Sequence, residues 1–200
     1  MSGDRDSDWQ EYYERTKGRA PRRTLSAALA AFGEVPSMRT AIDLGCGDGR
    51  DTIELLRRGW HVLAIDAEPA AIERLRRRAD IPAEAVLATR VGRSEDETWP
   101  PADLVNASFS LPLCVPERFV TLWARIVESL KPGGRFAGQL FGDRDDWRGK
   151  PGMTFLERPA VDRLFDAFEV EMLEEEESDA LTPYGKRKHW HLFHVVARKR

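Results

Sequence analysis

Ala41-Ile42-Asp43-Leu44-Gly45-Cys46-Gly47-Asp48-Gly49-Arg50 is the stretch that decides the fold of this 200-residue chain. A short apolar strand runs into a loop with glycine at every second position. The following helix carries Ile53, Leu56 and Trp60 at i, i+3 and i+7, and Gly59 ends it. A second apolar strand, His61-Val62-Leu63-Ala64-Ile65-Asp66, then closes on a carboxylate. Strand, helix and strand in this order form one unit of a parallel sheet. Gly45, Gly47 and Gly49 permit positive φ and let a ligand approach bare backbone. The helix that follows offers unpaired N–H groups at its N-terminus. Asp66 stands about 20 residues beyond the glycine turn, where a carboxylate suits the two hydroxyls of a ribose. A nucleoside-containing ligand across the strand tips is the leading reading, and nicotinamide cofactors share the general pattern.

The wording of the loop separates the cofactor classes. A dinucleotide site wants G-x-G-x-x-G/A. Here Gly45-x-Gly47 is followed three residues on by Arg50, and the third glycine is one place early. Asp43, just before the loop, faces a cationic amino group better than a pyrophosphate. The string Asp43 to Gly49 resembles the first motif of class I S-adenosylmethionine (SAM)-dependent methyltransferases, and Asp66 resembles their ribose-binding acid. The resemblance implies an α/β fold: a Rossmann-like three-layer sandwich with helices on both faces and an N-terminal helical lid. Its sheet has seven mostly parallel strands, the last antiparallel. It implies SAM as cofactor and S-adenosylhomocysteine as product; His189-x-His191 could hold a metal, but the sequence offers it no clear third ligand, so no metal is expected. The cofactor contacts it suggests are Asp43, Gly45, Cys46, Gly47, Asp66 and Ala67.

Composition sets the outer bounds. The length suits one domain, divided here into a lid segment over residues 1–36 and a cofactor-binding domain over 37–200. A hydrophobic content of 42% is ordinary for a globular chain, and a net charge of −3 argues against a general nucleic-acid binder. Cys46 and Cys114 fit no metal spacing, and Cys46 lies inside the glycine loop, against a structural disulfide. No signal peptide and no apolar run of about 18 residues is present, so a cytoplasmic protein without a membrane span is expected. A monomer or homodimer acting on a small molecule fits these bounds.

Residues 1–7 are expected to be disordered. Trp9, Tyr12 and Tyr13 follow at i, i+3 and i+4. A helix from about Pro21 to Phe32 presents Leu25, Ala28, Leu29 and Phe32 on one face, with Gly33 and Pro36 stopping it. In the resembled family such N-terminal helices cover the cofactor and shape the substrate pocket. Trp9, Tyr12 and Tyr13 are therefore candidate substrate contacts, and Arg19 or Arg22 a candidate for the SAM carboxylate.

Beyond Asp66, Pro69 opens a helix with Ile72 and Leu75 inward. Ala85 to Arg90 reads as a third strand. The loop after it supplies Ser94, Glu95 or Asp96, any of which could accept from adenine in the manner of the resembled family. Asp103 to Phe109 reads as a fourth strand and its exit. In the resembled fold its tip lies next to the transferable methyl, which nominates Asn106 for the cofactor and Phe109 for the substrate. Enzymes that methylate nucleic-acid bases often carry Asn/Asp-Pro-Pro-aromatic here; Asn106-Ala107-Ser108-Phe109 lacks the prolines. A core helix follows from about Pro116 to Leu130, with Phe119, Val120, Trp123, Ile126, Val127 and Leu130 in one stripe. Leu130-Lys131-Pro132-Gly133-Gly134 is expected to cap it and lead into a strand over Arg135 to Phe141.

The segment from Gly142 to Gly152 is long, charged and framed by glycine, which nominates Asp143 for the substrate. A helix around Arg158 to Phe168 precedes a sixth strand (Glu169 to Glu175) and a seventh (Lys188 to Arg198). If the seventh is antiparallel, as the resemblance implies, His189 and His191 begin it at the active edge and share one face. One of them is the candidate general base, or orients the acceptor. Tyr184-x-x-x-Lys188 copies the spacing of a short-chain dehydrogenase pair, but Pro183 and Gly185 place it in a turn. The endings Gln139-Leu140-Phe141-Gly142-Asp143 and Lys188-His189-Trp190-His191 look like the tellurite-resistance and thiopurine groups of the superfamily. Methyl transfer to a sulfur, selenium, tellurium, nitrogen or oxygen nucleophile is expected. A non-catalytic SAM-binding module and an NAD(P)-dependent reductase are the alternatives.

Overall fold

The computed structural model describes residues 3–33 and 38–200; Met1, Ser2 and Pro36 lie outside them. In chain order the elements are α1 (Gly3–Thr16), α2 (Arg23–Phe32), β1 (Thr40–Leu44), α3 (Arg50–Arg57), β2 (His61–Asp66), α4 (Pro69–Arg76), β3 (Leu87–Val91) and β4 (Ala102–Ala107). Then come α5 (Pro116–Ser129), β5 (Leu130–Gly142), β6 (Phe155–Leu156), α6 (Arg158–Leu164), β7 (Phe168–Leu181) and β8 (Arg187–Lys199). The strands form one sheet in the order β3-β2-β1-β4-β5-β8-β7, with the two-residue β6 beside the end of β5. Strands β1 to β6 pair in parallel, and β8 runs antiparallel between β5 and β7. This is the Rossmann-like sheet that the motifs imply, with β6 as an eighth, minor strand.

Period-2 alternation divides the core between the two faces. Ile42, Leu44, Val105, Phe136 and Leu140 pack with Phe119, Leu122, Trp123 and Ile126 of α5 and Val161 of α6. Ala41, Val62, Leu104, Ala137 and Val196 face the other way. They meet Leu25, Ala28 and Leu29 of α2, Ile53 and Leu56 of α3, and Ile72 and Leu75 of α4. Trp123 anchors the first layer, its ring centroid 5.1 Å from Phe136 and 5.0 Å from Phe165 in edge-on contacts.

Several expectations need correction. The N-terminal helix starts at Gly3 rather than after residue 7. Its buried residues Tyr13 and Thr16 dock on the body, and such tertiary contact sustains a helix that local propensity alone leaves marginal. In α5 the buried stripe is Phe119, Leu122, Trp123 and Ile126; Val120 is 75% exposed. Lys131-Pro132-Gly133-Gly134 does not cap α5. The helix stops at Ser129, and Leu130 is already extended and pairs with Ala102. The proline keeps Lys131 extended, and the glycines take up a register shift before Arg135 pairs with Leu104. Strand β3 starts at Leu87, not Ala85, and α6 ends at Leu164, so Phe168 opens β7. The acidic run Glu174 to Glu177 lies within β7 rather than between strands, and Glu177 is registered with His191. Charge along this edge strand discourages further strand pairing.

Candidate active site

Successive strands run outward from β1 in one direction and from β4 in the other, which opens a crevice beyond their C-terminal ends. The glycine loop fills its floor. Gly45 and Cys46 both donate to the Ile65 carbonyl, at 2.8 and 3.1 Å, which draws the loop across the tip of β2. Gly47 has φ +56°, and a Cβ there would lie 2.9 Å from the Tyr13 ring. Glycine is required by both the backbone angle and this close approach.

Asp66 closes the loop from the other side. Its carboxylate accepts from the Gly47 N–H and the Glu68 N–H, each at 2.8 Å. Each oxygen keeps a lone pair for a further donor. Burial pushes the Asp66 carboxyl up, and the two N–H bonds pull it back. Ala67, Asp48 and Cys46 line the same end of the cleft, and Ser94 and Glu95 extend it. The Glu95 carboxylate is held by Arg93 at 2.6 Å, whereas Asp96 turns to Arg118 and does not line the cleft.

At the base of the loop lies a buried polar network. Asp43 is 1% exposed and accepts from Thr52 Oγ1 and, at 2.8 Å, from Asn106 Nδ2. Asp51 accepts from Ser108 Oγ at 2.6 Å and from the Arg22 N–H at 2.9 Å. Burial, with the neighbouring Asp51 charge second, pushes the Asp43 carboxyl up to about 7; the bonds from Thr52 and Asn106 oppose this. Asn106 is fully buried and acts here as a strut behind Asp43, not as cleft wall. Arg50 lines the cleft with Nε donating to the Ala20 carbonyl at 2.6 Å. Its Nη1 is buried with no hydrogen-bond partner.

The N-terminal residues Trp9, Tyr12, Tyr13, Arg19 and Arg22 all line the cleft. The three aromatic rings pack mutually at 5.6–6.2 Å. The Arg22 guanidinium lies 4.3 Å from the centre of the Phe109 ring and reaches the Tyr12 hydroxyl at 3.3 Å. Phe109 has φ +57°, a left-handed conformation unusual for a bulky residue and frequent at functional sites. Its N–H donates to Gln139 Oε1, and Gln139 Nε2 donates to Thr24 Oγ1 of α2. The chain thereby ties the exit of β4 to β5 and α2. Beyond Phe109 the cleft is walled by Phe141, Trp147, Trp190, Leu192 and His194, and its whole volume is about 1760 Å³.

The nominated histidines lie elsewhere. His189 is on the exposed side of the hairpin, against Asp179 and Glu177. The His191 side chain is fully buried beneath Gly142, against Glu175 at 3.0 Å and Asp143 at 3.6 Å. Neither these two histidines nor Asp143 lines the cleft. They do share a face, but it is the one turned away, because Gln139 opposite His194 sets the register of β8. Trp190, Leu192 and His194 therefore face the cleft. Glu176, Gln139, Arg50 and Asp51 also belong to the site and were not anticipated. The signal for His194 was its parity with Trp190. Lys188 of the Tyr184–Lys188 spacing is buried and paired with Asp145. Among the described residues no group of three His, Cys, Asp or Glu side chains could hold a metal ion, and no helix is long and apolar enough to cross a membrane.

Comparison with known proteins gives a consistent picture. Residues 41–134 match a family model described as a methyltransferase domain. A trans-aconitate 2-methyltransferase of Sinorhizobium fredii is 30% identical over 162 residues, 77% of this chain and 54% of that protein. A carboxy-S-adenosyl-L-methionine synthase of Erwinia tasmaniensis is 38% identical over 101 residues, 46% of this chain and 39% of that protein. The chain thus spans between two-fifths and about half the length of these curated relatives. Among solved structures, TehB from Haemophilus influenzae superposes with a TM-score of 0.76 at 17% identity, covering 96% of this chain and 67% of that one. A Burkholderia thailandensis 1,6-didemethyltoxoflavin-N1-methyltransferase, solved with bound 1,6-didemethyltoxoflavin and S-adenosylhomocysteine, gives 0.67 at 21% identity, covering 97% and 86%.

Proposed function

We propose that this chain is a class I SAM-dependent methyltransferase, which binds SAM and directs methyl transfer to a small-molecule acceptor. One observation carries the reading: Asp66, 19 residues beyond Gly47, meets the Gly47 N–H at the strand tips, where a nucleoside fits. The other residues fit the same cofactor. Asp43 is an acid placed for an ammonium group, Arg50 has a buried N–H to give a carboxylate, and Ser94 and Glu95 stand where the adenine would lie. The described part of the N-terminal segment, residues 3–33, covers the cleft, with Tyr13 on the glycine loop and Arg22 and Phe109 between the cofactor and acceptor ends. When bound, SAM supplies an electrophilic methyl group on a sulfonium. The protein's part is alignment, exclusion of water and, for a protic acceptor, removal of a proton.

Calorimetric titration with SAM, S-adenosylhomocysteine and NADPH tests the reading. Micromolar binding of the adenosyl ligands alone supports it; binding of NADPH alone overturns it.

Asp43 makes that binding pH-dependent. Its proton must leave before the carboxylate pairs with the amino group, so affinity for S-adenosylhomocysteine falls below pH about 7, by up to about tenfold per pH unit, and levels off above it. The same raised pKa means that the free protein loses stability as pH rises from the unfolded carboxyl range towards 7, since the unfolded chain has already released this proton. Ligand-induced thermal stabilisation should therefore grow from pH 6 to 8; a flat profile would separate Asp43 from the amino group.

Arg50→Met tests the carboxylate site. A lost charge-assisted hydrogen bond is worth about 1.5–3 kcal/mol, roughly 10- to 100-fold in affinity. S-adenosylhomocysteine should weaken by that factor. 5′-Methylthioadenosine, which lacks the carboxylate, should bind wild type and variant alike; equal loss for both ligands would mean a general collapse of the loop.

A further inference from the structure

The acceptor end of the cleft contains a buried base that the cofactor contacts do not use. His194 is 6% exposed, and its Nε2 meets Glu176 Oε2 at 2.9 Å, whereas Nδ1 is buried with no hydrogen-bond partner. The other Glu176 oxygen accepts from Ser178 Oγ at 3.0 Å, so the carboxylate is fixed from both sides. A carboxylate on Nε2 demands the Nε2–H tautomer, which leaves the Nδ1 lone pair as an acceptor without a donor. An unsatisfied buried nitrogen costs stability, and His194 is part of the cleft wall.

The surroundings indicate the kind of donor. Phe109 stands edge-on to His194 at 6.5 Å and to Phe141 at 6.4 Å, and Trp190 and Leu192 complete an apolar, aromatic wall. Arg22, over the Phe109 face, adds a positive charge at the boundary. A thiolate or chalcogenide anion has no proton to give and needs no base. A hydroxyl needs one, and a flat aromatic body suits these walls.

We propose that the acceptor is an aromatic hydroxyl compound of the phenol or enol type, and that His194 Nδ1, oriented by Glu176, takes its proton. This deepens the methyl-transfer reading and rests on it. The O–H bond breaks towards Nδ1. The electron pair left on oxygen forms the bond to the methyl carbon, and the pair of the carbon–sulfur bond stays with sulfur. The imidazolium is held by Glu176 and returns its proton to water when the product leaves. The charges that face His194 are Arg23 from α2 and Glu174 and Glu176 from β7. Burial first and Arg23 second lower its pKa, so the ring is neutral and ready to accept at neutral pH.

Two measurements test this. In the ligand-free protein, ¹⁵N NMR at pH 7 should find Nδ1 of His194 unprotonated and Nε2 protonated; a proton on Nδ1 overturns the proposal whatever the cofactor. In protein saturated with S-adenosylhomocysteine, 4-nitrophenol serves as probe, because its phenolate has a separate visible absorbance. In wild type the bound probe should ionise at least one pH unit lower than in His194→Gln, about tenfold more phenolate at a given pH. Glu176→Gln should fall between. Equal ionisation in all three proteins, or no binding of the probe to wild type, overturns the proposal. Undiminished S-adenosylhomocysteine binding by His194→Gln certifies its fold. Failure of wild type to bind that ligand would instead refute the methyl-transfer reading, with the NMR result standing by itself.

Discussion

Lys188→Met should lower folding stability by about 3–5 kcal/mol, the range for removing one partner of a buried ion pair. In a chain of this size that corresponds to a drop of roughly 10 °C in melting temperature. Lys188 and Asp145 are 3% and 2% exposed, and Nζ lies 2.5 Å from the carboxylate. The ammonium also sits 3.8 Å from the centre of the Trp190 ring and 4.7 Å from that of Trp147. Asp145 accepts from the N–H groups of Trp147 and His191, so the pair staples the Gly142 to Gly152 segment to β8. Without Lys188 the carboxylate is left charged among aromatic rings. Urea and thermal unfolding measure the cost. Asp145→Asn in the Lys188→Met background should recover part of it, because the amide oxygen still accepts while the stranded charge disappears. A single-variant loss below about 1 kcal/mol would mean that water reaches the pair.

Asp66→Ala should weaken S-adenosylhomocysteine by about 100-fold or more. The side chain fixes the loop through Gly47 and Glu68, and on the proposed reading its remaining lone pairs take the ribose hydroxyls. Two charge-assisted hydrogen bonds to a ligand amount to about 3 kcal/mol or more, and each 1.4 kcal/mol is tenfold. Titration calorimetry on wild type and variant reads the ratio directly. Asp66→Asn, which keeps the shape and one acceptor oxygen, should lie between them. A change of less than threefold in the alanine variant would remove Asp66 from the binding site and return the glycine turn to a purely structural role.

The glycine-loop half of the cleft was legible because its information is local. Asp43, the glycines and Asp66 lie within a single strand–helix–strand unit, and the spacing alone carries Asp66 to Gly47. The half beyond Phe109 was not, because it depends on long-range register. The alternation of His189 and His191 was read correctly, yet only the pairing of His194 with Gln139 decides which face meets the cleft. Val120 and Leu122 were exchanged for a related reason: both are apolar, and the position of α5 on the sheet selects between them. The extent of α1 was hidden because docking of Tyr13 and Thr16, rather than its own sequence, supports it. Phe109 was singled out by its place after β4, but its left-handed backbone left no mark in the sequence.

The matched segment, residues 41–134, contains the glycine loop, Asp66 and Phe109, but none of Arg22, Gln139, Glu176, Trp190 or His194. Likeness to known methyltransferases in that segment therefore bears on the glycine-loop half of the cleft and hardly at all on the wall beyond Phe109. The two are written in separable parts of the chain. A graft of the β7–β8 hairpin into a relative of the same fold would transplant one wall of the cleft and leave the glycine loop as it was. Divergence in this fold can thus proceed by rewriting one margin of the sheet while the centre is inherited unchanged.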